Sequence, residues 1–178
     1  MTFAHLKQLE KLETSIRDAL VDARDRKRFS EKRWYQIVAA LDCIGDGVIA
    51  LRSYEEHGFG RRQGDKYLRL FGLLQCIFMQ QDSIRLLAKE VGSLDLAPAK
   101  TDAWARVREL RNRIGGHPAE RAGAVARRSI EDNHLRVLHW ATGPRTESIK
   151  VRDWVAEYIR EAAGHMATVL KMAEGATP

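Results

Sequence analysis

Apolar residues recur at steps of three and four along most of this chain, the period of an α-helix that turns one face to a core. Phe3, Leu6, Leu9, Leu12, Ile16 and Leu20 form the first such stripe. It predicts a helix from a Thr2 cap to Arg28, charged on its other faces as an outer or dimerising helix would be, with residues 1–28 as its span. Ser30 reads as the cap of a second helix, with Phe29 and Trp34 placed as a hydrophobic staple. Trp34, Ile37, Val38, Leu41, Ile44, Val48 and Leu51 carry it to His57, and Gly58-Phe59-Gly60 makes the loop that follows. A third helix opens at Asp65 and is apolar on more than one face, through Leu68, Leu70, Phe71, Leu74, Ile77, Phe78, Ile84, Leu87 and Val91. That breadth predicts the central helix of a bundle, ending at Gly92. Gln75 and Asp82 share a stripe with Phe71 and Phe78, which sets polar groups where core is expected.

A linker, Ser93 to Lys100, leads to a fourth helix capped by Thr101 or Asp102 and closed by Gly115-Gly116. After Pro118 the period changes. The segments Ala124 to Ile130, His134 to Trp140 and Glu147 to Val151 are short and alternating or β-branched, with turn residues at Asp132-Asn133 and Gly143-Pro144, so residues 122–151 read as a small β-meander. The last helix runs from Arg152 to Glu174, with Trp154, Val155, Tyr158, Ile159, Ala162, Met166, Val169 and Leu170 on one side. The expected fold is therefore mainly α: an up-and-down bundle of four to five long helices, with the meander inserted before the last, in one domain over residues 1–178.

Composition adds to this picture in three places. A chain of 178 residues with 44% apolar and 30% charged residues has the balance of a soluble globular domain. No uninterrupted apolar run is long enough to cross a bilayer and no signal-peptide core follows Met1, so a cytoplasmic protein without a membrane partner is expected. Cys43 and Cys76 stand apart among apolar neighbours with no CxxC, so they read as buried thiols rather than metal ligands or a disulfide. Charge is concentrated in one third of the chain: Lys100 to Arg152 holds 12 Lys or Arg against 6 Asp or Glu, an excess equal to the +6 of the whole chain. A basic region of this kind fits either an anionic partner, nucleic acid first among them, or a solvated basic face.

Within that region the segment Glu109-Leu110-Arg111-Asn112-Arg113-Ile114-Gly115-Gly116-His117-Pro118 holds the candidate chemistry. At about 100° per residue Trp104, Val107, Leu110 and Ile114 cover one apolar arc, and Arg111 falls inside it while Arg106, Arg108 and Arg113 fall outside. An arginine on a buried stripe must be paired, line a cleft or face a partner chain, because an unpaired buried guanidinium is costly. Asp82 or Gln75 is the expected partner of Arg111 across the helix interface, the alternative being an ordinary satisfied core network. His117 is six residues beyond Arg111 and approaches it only if the helix ends at the glycine pair; otherwise it caps the helix C-terminus.

Arg111-Asn112, four residues and then His117, near the end of the fourth helix of a bundle, resembles the HEPN superfamily (higher eukaryotes and prokaryotes nucleotide-binding) over residues 30 to 175. The segment from Tyr67 to Gln75, continuing to Asp82, is similar to bacterial members of the same group. The resemblance implies a metal-independent endoribonuclease of a toxin–antitoxin or antiviral defence system, with Arg111, Asn112 and His117 catalytic and no cofactor. It also implies a homodimer that pairs its motifs in one cleft, and a cognate antitoxin or regulatory protein as partner. The basic residues Arg106, Arg108, Arg113, Arg121, Arg127 and Arg128 would then contact RNA. A glycine pair lengthens the interval from Arg111 to His117 relative to the commonest family spacing, and a non-catalytic module that binds RNA, a nucleotide or a protein through the same basic cleft is the alternative.

No other histidine competes. His134 and His139 fall on opposite faces of a strand, His57 stands beside Glu55 and Glu56 in a loop, and His5 and His165 lie on distant helices. No HExxH, P-loop, GxGxxG or GxSxG occurs, and no metal site is expected.

Overall fold

Capping residues set both ends of the second helix. The computed structural model describes residues 3–25, 28–100, 102–115, 123–126, 128–131, 133–139 and 145–175. Their elements, in chain order, are α1 Leu6–Asp25, α2 Glu31–His57, α3 Gln63–Gly92, α4 Ala103–Gly115, β1 Gly123–Val125, β2 His134–His139, β3 Arg145–Lys150 and α5 Val151–Ala173. Ser30 caps α2 as expected, its hydroxyl oxygen accepting the Arg33 N–H at 3.4 Å. Gly58 ends the same helix at φ 56°, a conformation that costs glycine little, and donates its N–H to the Tyr54 carbonyl. Asp65 does not cap α3: the helix begins two residues earlier, and the carboxylate lies in its first turn, where it complements the helix dipole. The expected Thr2 and Thr101 caps lie outside the described residues.

The bundle is mainly helical, with a small antiparallel sheet before the last helix. α2 packs between α1 and α3, and α5 lies against α1, α3 and α4. The stripe of α1, including Phe3, Leu6, Leu9, Ile16 and Leu20, is buried within its own chain against α2 and α5. That apolar face is therefore already covered. Arg17 ties α1 to α2 by donating to Asp42 at 2.8 Å, and Glu13, one turn earlier on α1, also accepts from it. By length and mean hydropathy α2 alone among the described helices would suit a membrane crossing, but its apolar residues Ile37, Leu41, Ile44, Val48 and Leu51 are buried in the bundle.

On α3 the structure corrects the expected core. Gln75, Asp82 and Phe71 are exposed and Phe78 is half-buried, so their stripe faces outward. The inward face carries Leu70, Leu74, Ile77, Ile84 and Leu87 and, among them, Gln80 and Gln81, both 0% exposed. Each glutamine is satisfied. Tyr158 Oη donates to Gln80 Oε1 at 2.8 Å, Gln80 Nε2 donates to the Ile44 carbonyl at 2.9 Å, and Gln81 Nε2 donates to the Trp104 carbonyl at 2.9 Å. Gln80 thus bridges α2, α3 and α5, and it lies so close to Gly47 that a Cβ there would meet its amide nitrogen at 2.5 Å.

The sheet runs in the order β1-β2-β3, with Leu135 opposite Ile149 and Val137 opposite Glu147. Leu135, Val137 and Ile149 are buried. Two strand boundaries differ from expectation. The first strand stops at Val125, because Ser129 turns back to bond Arg136 and Arg128 adopts φ 59°. The third spans Arg145–Lys150, and Val151 already belongs to α5. Cys43 and Cys76 are half-buried rather than buried, and burial, then Asp46, pushes the Cys76 thiol up from its ordinary value.

Candidate anion-binding site on α3 and α4

α4 is short and rich in arginine, so its position depends on what holds it. Its N-terminus is capped from across the bundle: the Glu161 carboxylate on α5 accepts the Ala103 N–H at 3.0 Å and the Trp104 N–H at 2.8 Å. Asp102 turns the other way and accepts the Ala99 N–H. A carboxylate at a helix N-terminus meets both the unsatisfied N–H groups and the positive end of the dipole. Trp104 then packs on Tyr158 and meets the His165 ring edge-on at 5.2 Å. Trp104, Val107 and Leu110 are buried, as the apolar arc requires, and Ile114 is half-buried.

His165 makes this anchorage pH-dependent. Burial lowers its imidazole from the ordinary value, against the opposing pull of Glu161 and Asp102. The folded state therefore binds the proton more weakly than the unfolded chain does, and stability is full above the unfolded pKa of about 6.5 and falls as pH drops through it. Urea midpoints are expected to decline between pH 7 and pH 5, and His165→Gln to flatten that slope. An unchanged slope in the variant would remove His165 as its source.

Arg111 projects from α4 toward α3. Its Nε and Nη2 donate to Gln75 Oε1 at 3.2 and 2.9 Å, its Nη1 donates to Asn112 Oδ1 at 3.1 Å, and its Cζ lies 4.3 Å from the centroid of Phe78. Of the two partners expected for it, Gln75 is the one that meets it. Asp82 pairs instead with Arg108, whose Nη1 donates to Asp82 Oδ1 at 2.8 Å and whose Cζ is 4.1 Å from the same ring. Two guanidiniums thus share the Phe78 ring, one neutralised by a carboxylate and the other held by neutral amide oxygens. Five N–H donors less the three just named leaves Arg111 one on each terminal nitrogen, with no partner among the described residues. That pair is spaced for a bidentate anion.

The other basic candidates differ from Arg111 in their partners. Arg106 pairs with Glu157 and stacks over Trp154, both on α5. Arg113, on the opposite side of α4, meets Glu109 at 2.5 Å and Glu147 at 2.9 Å, with His139 Nε2 at 3.0 Å from the same Glu147 oxygen. These contacts dock the sheet on α4, and Gly123 allows it: a Cβ there would meet Arg113 Cγ at 2.7 Å. Arg106, Arg108 and Arg113 are each paired with an acid of their own chain, although the buried Arg106 Nε has no partner among the described residues, and such arginines keep less charge for a ligand. Arg128 is exposed. His117, Arg121 and Arg127 lie outside the described residues, as does Gly116.

Sequence reasoning missed three features: Phe78 as the shared stacking ring, Glu161 as the cap of α4, and the Arg113–His139–Glu147 cluster. The first had a signal in the spacing of Phe71, Gln75, Phe78 and Asp82; the others depend on α4 meeting elements more than 25 residues away in sequence and had none. Among the described residues no three His, Cys, Asp or Glu side chains are grouped to hold a metal ion. No protein family, curated protein or solved structure matches the chain.

Proposed function

We propose that this chain is a HEPN-like, metal-independent endoribonuclease acting in the cytoplasm, as part of a toxin–antitoxin or antiviral defence system. The observation that carries the reading is Arg111: a guanidinium anchored by Gln75, Asn112 and Phe78, with no carboxylate among its described partners. Charge that is oriented but not neutralised is what a phosphate site needs. In the proposed reaction the RNA 2′-oxygen bonds to the adjacent phosphorus, its proton passes to His117, the bond from phosphorus to the 5′-oxygen of the next nucleotide breaks, and that oxygen takes a proton from solvent water. Arg111 offsets the negative charge that develops on the non-bridging oxygens, and Asn112 and Gln75 hold it in line. A cognate antitoxin or regulatory protein would be the partner such a nuclease requires.

RNA binding without cleavage is the second reading. It is supported by the setting of Arg111, because a guanidinium oriented by Gln75 and Asn112 can hold a phosphate without any group that transfers a proton. Incubation of purified protein with single-stranded RNA in EDTA separates the two. Cleavage that persists in EDTA, leaving 2′,3′-cyclic phosphate ends, is the expected result; bound but intact RNA in EDTA and in magnesium alike would replace the nuclease with the binding module.

A further inference from the structure

The outer stripe of α3 continues past Gln75 toward the N-terminus of the helix, and there it is aromatic and open. Phe71, four residues before Gln75 and so one turn away on the same face, is 37% exposed. Tyr67 stacks on it at 6.4 Å between centroids with 24° between the planes, and Leu68 beside them is 75% exposed. The last described residue of α4, Gly115, lies against the ring: a Cβ on it would be 3.6 Å from Phe71 Cδ1. Phe71 is thus braced on one side by Tyr67 and on another by the end of α4, close to Arg111, and still presents surface to solvent.

We infer that Phe71 is a stacking platform for one nucleobase of single-stranded RNA whose phosphate is held by Arg111. This rests on the Arg111 phosphate reading and extends it to a substrate class. The four residues from Phe71 to Gln75 span about 6 Å along the axis, within the reach of a single nucleotide from phosphate to base. A base paired within a duplex cannot lay its face on a side chain, so the arrangement selects unpaired strands. Stacking is tolerant of base identity because every base has a π-face, so the site favours single-stranded over double-stranded RNA more than one sequence over another. A second copy of this chain is the competing occupant for an apolar patch. A base is the better fit, because the aromatic face continues to the Arg111 guanidinium, whose two remaining N–H donors suit a phosphate of the same strand.

Fluorescence anisotropy of the full chain with a labelled single-stranded RNA 12-mer, and with an abasic 12-mer of the same charge, tests the assignment. Phe71→Ala should weaken binding of the RNA by about 5- to 100-fold and leave the abasic strand unchanged, while Phe71→Trp should bind RNA as the parent does. Equal loss on both strands, or no loss on either, would overturn the platform. So would conversion of a parent dimer to a monomer by Phe71→Ala in light scattering, which would give the patch to a second copy. Arg111→Ala should weaken both strands; if it weakens neither, the phosphate site itself is wrong, a result independent of Phe71. Thermal unfolding of Phe71→Leu, which keeps apolar packing without a π-face, guards against misfolding: a variant that melts with the parent but binds RNA weakly supports the platform, and one that melts with the parent and binds RNA fully refutes it.

Discussion

Replacing Arg111 by alanine is expected to lower RNA cleavage by about 100- to 1000-fold while leaving the melting temperature close to that of the parent. The rate effect follows from removing a positioned donor that faces charge developing in the transition state. The small stability effect follows from its setting: Gln75 is exposed, so its released carbonyl is rehydrated by water rather than left bare. Arg111→Lys should recover little. Lysine keeps the charge but cannot place donors on Gln75 and Asn112 together while presenting two more to a phosphate. His117→Ala should reduce cleavage by about two to four decades through loss of proton transfer, with RNA affinity unchanged. Single-turnover cleavage and anisotropy on the same RNA separate the two roles: if Arg111→Ala cleaves as the parent does, the phosphate site is elsewhere.

A second large effect is expected at the centre of the bundle. Gln80→Leu should destabilise the protein by about 3 kcal/mol, because it leaves the Tyr158 hydroxyl without its acceptor and takes from the Ile44 carbonyl the donor it has beyond its own helix, where neither can reach water. For a chain of this size the melting temperature should fall by about 10 °C. Burial already holds the Tyr158 phenol well above its ordinary pKa, so it has no ionised state to fall back on near neutrality. In the double variant Gln80→Leu with Tyr158→Phe, one orphan group disappears, and the combined loss should be smaller than the sum of the single losses. Urea unfolding of the four proteins measures this; simple additivity would mean that the hydrogen bond between the two residues contributes nothing.

Helix number, order and approximate ends were legible in the sequence because they depend on neighbours along the chain. The stripes of α1 and α2, the Ser30 and Gly58 caps, and the change of period after α4 all appear in the folded protein. Local signals of this kind act within a turn or two, and tertiary packing left them in place. Arg111 was also marked in advance, since an arginine inside an apolar arc demands a partner, and Gln75 is one of the two residues named for it.

The face that α3 turns inward was decided by tertiary structure. Its apolar residues cover more than one side, so periodicity alone admits two orientations, and the packing of α2 and α5 selects the one that buries Gln80 and Gln81 and leaves Gln75, Phe71 and Asp82 outside. That choice turned an expected core network into a surface site. It also gave Asp82 to Arg108, because the two meet across the interface between α3 and α4. Glu161, on the last helix, could be recognised as the cap of α4 only once α5 lay beside it. The amino-acid sequence by itself determined the helices and the charge on α4. The packing of distant elements decided which arginines are neutralised and which one is left oriented toward solvent, since an ion pair depends on which side chains the fold brings within reach.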